Sequence, residues 1–361
     1  MSPQGLFPRA TCLWLAVACA PAEPAVIGVA FQGLGVDAVA VARDELAEWT
    51  SPVHLTFDTT LMGDPADIEV ARATHIAKTP GLAAVVGHGS SRGSLAAAPV
   101  YHDARIPQIV PTGTSRLLEQ AGPWTFALAP NDSVEGAFIA EYVAGALAAR
   151  TVTIFFVNDE YGVGLRDGVL AGLHARGVVV IDEVSVDPRS DFSVVVEASL
   201  QRGVPDVVVS GARWVETGAI ARLFHARLPG TPVVAGDGAL LMPDLAREVG
   251  DAASSLVVVS FWLPDAPDSL GHAFAERFRR VIGREPVGTH AMTHDAIMLA
   301  ATAIREVGSN PDAVRQYLAS LGIARSPYRG VTGPIAFTPG RRTNFVMTRL
   351  AGDGLVRVSD P

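Results

Sequence analysis

The sequence predicts an α/β protein folded as two lobes with parallel sheets, and three observations carry that expectation. A chain of 361 residues exceeds the size at which a single hydrophobic core keeps growing. From Ala25 onward, short apolar runs alternate with stretches of helical periodicity, the signature of parallel α/β units. No repeat or low-complexity linker divides the chain, so two lobes must be joined by several short crossings.

Strand-like runs are Ala25–Ala30, Val53–Phe57, Leu82–Val86, Gln108–Val110, Thr151–Val157, Val178–Val184, Asp206–Ser210, Pro232–Ala235 and Leu256–Phe261. Between them lie amphipathic stretches such as Val134–Leu147, with Val134, Phe138, Ile139, Tyr142 and Leu147 at helical spacing. Asp132-Ser133-Val134-Glu135 fits a capping box at the start of that stretch. After about residue 263 the pattern changes to helices over Leu270–Val281, Thr289–Val307 and Asp312–Leu321. A β pair over Gly330–Phe337 and Asn344–Leu350 follows.

Composition excludes whole function classes. Lys plus Arg is 28 against 37 Asp plus Glu, a net charge of -9 with no basic stripe for nucleic acid. Lys78 is the only lysine, so there is no G-x-x-x-x-G-K phosphate loop and one possible Schiff-base amine. The only cysteines, Cys12 and Cys19, fall in the first 24 residues; the rest of the chain holds no cysteine nucleophile, thiolate metal site or disulfide.

Residues 1–24 read as an export leader: Arg9, an apolar run from Ala10 to Ala20, then small residues. The run is too short to span a bilayer core of roughly 30 Å. Ala18-Cys19-Ala20 fits a small-x-small cleavage site, although Pro21 would follow the cut. Leu15-Ala16-Val17-Ala18-Cys19 fits a lipobox with Cys19 lipidated, although Ala16 stands where leucine is usual. Both readings place the protein in the periplasm or cell envelope.

Six segments carry a resemblance. They are VVGHGSSRGSLAAAPVYHDARIPQIVPTGTS (85–115), FALAPNDSVEGAFIAEYV (126–143), IFFVNDEYGVGLRDGV (154–169), SDFSVVVEASLQRGVPDVVVSGARWVETG (190–218), VVAGDGA (233–239) and GPIAFTPGRRTNFVMTRLAGDG (333–354). In order and spacing they resemble the leucine/isoleucine/valine-binding branch of type I periplasmic solute-binding proteins. The resemblance implies two Rossmann-like lobes joined by a three-crossing hinge, with ligand trapped between them. It puts lobe one at about 25–130 plus 264–336 and lobe two at about 131–263 plus 337–361. It further implies capture of an amino acid or similar zwitterion for a membrane ABC permease, with no catalysis, cofactor or metal.

Carried over by position, the resemblance assigns Ser91 to the ligand carboxylate, beside the N–H groups of a helix start. The Thr112 carbonyl would accept from the ammonium, and the Thr114 hydroxyl and N–H would bridge both ligand ends. Tyr161 would close from the opposite wall, and Asp237, in Gly236-Asp237-Gly238, would pair with the ammonium. Without the resemblance, Ser91 and Thr114 read equally as helix caps, Tyr161 as ordinary packing and Asp237 as a solvated turn.

Two departures bear on the ligand. Gly89 and Ser90 line a poor leucine pocket, and Arg213 stands where a tyrosine is expected, followed by Trp214. Arg213 could pair with a second carboxylate or a polar side chain with Trp214 stacked on it, or snorkel to solvent at the rim. The loop Phe31-Gln32-Gly33-Leu34-Gly35 is short, which predicts a cleft without its usual aromatic wall and more open on that side.

Competing signals are weak. Gly87–Gly93 mimics a dinucleotide turn and would suit an NAD-dependent oxidoreductase, but it follows the third strand and no acid ends Gln108–Val110. His290 and His294 share a helical face as a candidate zinc pair without the H-E-x-x-H glutamate. A ligand-sensing ectodomain is the third class, disfavoured because no spanning helix follows.

Overall fold

The structure is a computed structural model and describes residues 25–358 except 32–34, 51–52, 58–64, 243, 266–267, 339–344 and 353. The first half-unit runs β1 (Ala25–Ala30), α1 (Gly35–Leu46), β2 (Val53–Phe57), α2 (Pro65–Ile76), β3 (Leu82–Gly87), α3 (Ser91–Asp103), β4 (Gln108–Val110) and β5 (Thr125–Ala127). Its five strands are all parallel, in the order β2-β1-β3-β4-β5. Strand β3 is buried along its whole length, as expected of a parallel strand covered on both faces.

The second unit runs α4 (Asp132–Ala144), β6 (Thr151–Val157), α5 (Glu160–His174), β7 (Val179–Val186), α6 (Phe192–Leu200), β8 (Val207–Gly211), α7 (Trp214–Arg227), β9 (Val233–Ala235), α8 (Asp244–Val249) and β10 (Leu256–Ser260). The chain returns through α9 (Ser269–Ile282), α10 (Gly288–Val307) and α11 (Pro311–Ser320). It ends with β11 (Tyr328–Gly330), β12 (Gly333–Ile335), β13 (Val346–Ala351) and β14 (Gly354–Arg357). The second sheet has the order β14-β13-β10-β9-β8-β6-β7; β13 and β14 are antiparallel additions to a parallel core. The return helices pack on the first sheet: α10 lies against α1, β1 and β3. Chain therefore passes between the two lobes after β5, after β10 and after β12.

Three expectations are corrected. The predicted β pair does not form. Residues 328–335 close on themselves as the β11–β12 hairpin, and the second predicted strand joins β10. The reason is Asp295 on α10, whose buried carboxylate accepts from the Val331 and Thr332 N–H groups at 2.6 and 2.8 Å and fixes the tight turn. Helix α4 ends at Ala144 rather than Leu147, with the Gly145 N–H closing on the Glu141 carbonyl. The capping box over Asp132 and Glu135 is also absent. Asn131 is the cap, its side chain accepting from the Ser133 and Val134 N–H groups, while the Asp132 N–H goes to the Thr114 carbonyl. Glu135 is thereby released for another use.

Candidate functional site

A cavity of about 470 Å³ lies between the lobes, and Ser91, Thr112, Thr114, Tyr161, Arg213, Trp214 and Asp237 all line it. The topology explains the convergence. In open parallel sheets, ligand sites form beyond the carboxyl ends of the strands, near the point where strand order reverses. Phe31 follows β1, Ser91 follows β3 and Thr112 and Thr114 follow β4; Tyr161, Arg213 and Asp237 follow β6, β8 and β9. Gly87 makes the sharp exit from β3 possible. Its φ is +139°, and a Cβ there would stand 2.6 Å from the Ala30 carbonyl oxygen.

The lobe-one wall is built of hydroxyls. Ser90, not Ser91, caps α3, accepting from the Gly93 N–H at 3.1 Å. Ser91 Oγ instead accepts from the Thr114 and Ser115 N–H groups at 3.2 and 3.1 Å, tying the two strand-end loops together. Thr114 is not a cap either; Ser115 takes that role by accepting from the Leu117 N–H. The Thr114 N–H is therefore committed to Ser91 and is not free for a ligand, contrary to expectation. Ser91, Thr112 and Thr114 line the cavity, and the Thr114 side chain also reaches the Asp132 carboxyl. Because Thr114 and Ser115 are both buried, Ser91→Ala strands two donors; we expect a loss of about 2 kcal/mol and a melting temperature lower by about 5 °C without ligand, measurable by calorimetry.

The lobe-two wall is acidic. Asp159 caps α5, its Oδ1 accepting from the Tyr161 and Gly162 N–H groups. This places Tyr161 at the floor of the cavity, where its hydroxyl accepts from the Gly238 N–H at 3.0 Å. The glycines beside Asp237 are needed for that approach: a Cβ at Gly238 would lie 2.7 Å from the Tyr161 hydroxyl. Behind Asp237, Glu135 Oε1 accepts from the Asp237 N–H at 2.7 Å. Asp132 is buried on the same helix, its carboxyl beside the Thr114 side chain. Burial raises all three acids: Asp237 to about 6, Asp132 to about 8, and Glu135 well above the usual carboxylate range, with the Asp237 charge adding to the burial of Glu135. Burial and the Asp237 charge likewise hold the Tyr161 phenol neutral.

The one cation on the cavity among the described residues is Arg213, and it is already engaged. Its guanidinium donates to Asp159 Oδ2 at 2.6 Å and sits 5.8 Å from the Tyr161 ring centre, so Tyr161 rather than Trp214 lies beneath it. Arg213 remains 39% exposed at the rim, nearer the snorkelling reading than the second-carboxylate one. Of the short loop after β1, residues 32–34 lie outside the described residues, so the expected open side is described only through Phe31. Phe31 lines the cavity beside Gly89, where a Cβ would stand in ordinary contact with its ring at 3.4 Å.

Glu135, Asp132, Asp159, Phe31, Thr289 and Thr293 belong to this site or its support and were not among the residues expected from the sequence. The lobes also meet beside the cavity. Arg92 Nε donates to Glu160 Oε2 at 2.8 Å, and Arg284 pairs with Asp37 while donating to the Met242 carbonyl at 3.1 Å.

The rival features are used structurally. His88, inside the Gly87–Gly93 turn, is buried between Glu69 and Tyr101, its Nε2 3.1 Å from the Tyr101 hydroxyl. His290 Nδ1 accepts from the Val287 N–H, and burial drops its pKa to about 3; His294 faces Glu45 instead. Among the described residues no group of three or more His, Cys, Asp or Glu is arranged to hold a metal, and no helix is long and apolar enough to cross a membrane. Lys78 is exposed, and Cys19 lies outside the described residues.

Two α/β lobes with a cavity at their facing strand ends define a solute-binding protein of the periplasmic type, and the comparisons agree. The chain belongs to the periplasmic binding protein family, whose model matches residues 62–351. It is 26% identical over 260 residues to Leu/Ile/Val-binding protein homolog 1 of Brucella abortus, covering 71% of this chain and 68% of that one. A leucine-binding protein from Thermotoga maritima shares the fold with a TM-score of 0.80 and 21% identity, covering 93% of this chain and 98% of the other. A solute-binding protein from R. palustris in complex with 4-hydroxybenzoate shares it at 0.78 and 15% identity, over 93% and 96% of the two chains. These last two likenesses establish the fold alone.

Proposed function

We propose that the protein is the extracytoplasmic binding component of an ABC importer and captures an amino acid between its lobes. The carrying observation is the polarity of the cavity: hydroxyls and main chain on one wall, a carboxylate with two further acids behind it on the other. A zwitterion lies across that field with its carboxylate toward Ser91 and Thr114 and its ammonium toward Asp237 and the Thr112 carbonyl. Tyr161 and Trp214 close over its body, and Arg213, neutralised by Asp159, bounds the rim. In this reading the lobes comprise 25–130 plus 264–336 and 131–263 plus 337–361, and opening bends the three crossings between them. Residues 1–24 direct export, and Cys19 serves as a lipid anchor if the lipobox is used.

Titration calorimetry of the purified protein with the proteinogenic amino acids, one at a time, and with 4-hydroxybenzoate tests this reading. Saturable binding of at least one amino acid is expected, because an aromatic acid leaves Asp237 with no cation. Binding of 4-hydroxybenzoate and of no amino acid would reverse the assignment.

A further inference from the structure

We infer that Glu135 and Asp237 work as a carboxyl dyad that exchanges a proton for the ligand ammonium, with Glu135 as the positioning residue that carries the proton. The inference rests on the amino-acid reading above and adds to it a residue with no contact to the cavity. Glu135 is wholly buried, holds the Asp237 loop through the 2.7 Å bond to its N–H, and keeps Oε2 unpartnered; Asp237 Oδ1 is likewise buried and unpartnered. The two carboxyl groups lie against each other.

Among the described residues the one cation whose charge reaches them is Arg213, which acts on Asp237 from a distance while paired elsewhere. Asp132 adds a third acid from the same helix, and Tyr161 on α5 presents a neutral phenol. Arg213 at the start of α7 is paired to Asp159. The lobe-one wall presents Ser90, Ser91, Thr112, Thr114, Thr289 and Thr293, none of which titrates. Two adjacent buried carboxylates cannot both be charged without a cation, so the empty dyad keeps a proton. When an ammonium docks on Asp237 it supplies that cation; the carboxyl O–H bond of Glu135 breaks and the proton passes to solvent. One positive charge reaches the acidic wall and one leaves it, so the net charge of that wall stays the same, while the ligand carboxylate is met by the opposite wall.

This mechanism reads out as protons counted, which a merely structural role for Glu135 would not change. The experiment is calorimetry at pH 7 with the tightest-binding amino acid of the panel, repeated in phosphate and in Tris, whose ionisation heats differ. The wild type is expected to release close to one proton per amino acid bound. Glu135→Gln, which keeps an oxygen for the Asp237 N–H, should still bind but release close to none, and Asp132→Asn should release as the wild type does. Binding with no proton release in the wild type overturns the inference while leaving the amino-acid reading intact, and needs no variant to fold. Unchanged release in Glu135→Gln, or its loss in Asp132→Asn, overturns it too; absence of any amino-acid binding removes the reading itself.

Discussion

Replacing Asp237 by asparagine is expected to weaken amino-acid binding by about 100-fold or more, close to 3 kcal/mol, the usual order for removing one partner of a buried charge pair. The amide occupies the same space and leaves the Asp237 N–H bond to Glu135 in place, so the lobe should melt near its normal temperature. The loss is one of charge. The same logic sets a pH dependence whose sign follows from the carboxyl that faces the cavity. Asp237 is raised to about 6, and only its ionised form attracts an ammonium. Affinity of the wild type should therefore fall about tenfold per unit as pH drops through 7, where the Glu135 proton is lost on binding, and more steeply below about 6, where Asp237 is protonated as well. In Asp237→Asn the slope should vanish. A variant that binds normally, or a wild type whose affinity improves on acidification, would show that the ammonium sits elsewhere.

The sequence was most legible where function depends on position along a strand. Ser91, Thr114, Tyr161 and Asp237 each follow an apolar run by a few residues, and parallel sheets bring such ends together whatever the loops do in detail. It was least legible where one residue had two local uses. Asp132 and Glu135 carry the spacing of a capping box, and that spacing does not reveal the reach of Glu135 to Asp237, 102 positions away. One local signal was available: Asn131 is as good a cap as Asp132, and capping from Asn131 leaves both acids free. The β11–β12 turn was opaque for a similar reason, since its anchor Asp295 is 36 residues upstream of Val331. Phe31 is a third case. The short loop after β1 suggested a missing aromatic wall, yet its first residue, Phe31, lines the cavity beside Gly89, a neighbour 58 positions on. Each of these depends on a long-range partner, and periodicity carries no information about those.

The acids owe their burial to two helices that touch backbone to backbone, and this yields the second large effect. Helices α4 and α5 pack through glycines: a Cβ on Gly136 would stand 2.7 Å from Gly168 Cα, and one on Gly168 would stand 2.6 Å from the Asp132 carbonyl oxygen. Backbone cannot swing aside as a side chain does, so a branched residue at Gly136 must push the helices apart. Gly136→Val should cost about 3 kcal/mol, the upper end for overpacking, and lower the melting temperature by about 10 °C. The cost should reach the cleft, because α4 carries Asp132 and Glu135 while α5 carries Tyr161. Any protein that still folds should bind amino acids more weakly and release fewer protons on binding, as water reaches the separated carboxyls and brings them back toward their ordinary range. The comparison is Glu141→Val, which places the same side chain on the same helix where the native residue is 75% exposed. That variant should change stability by no more than about 1 kcal/mol, and affinity hardly at all. Equal melting temperatures and affinities for the two variants would mean that the helices can separate freely, and that the burial of the acids does not depend on their close approach.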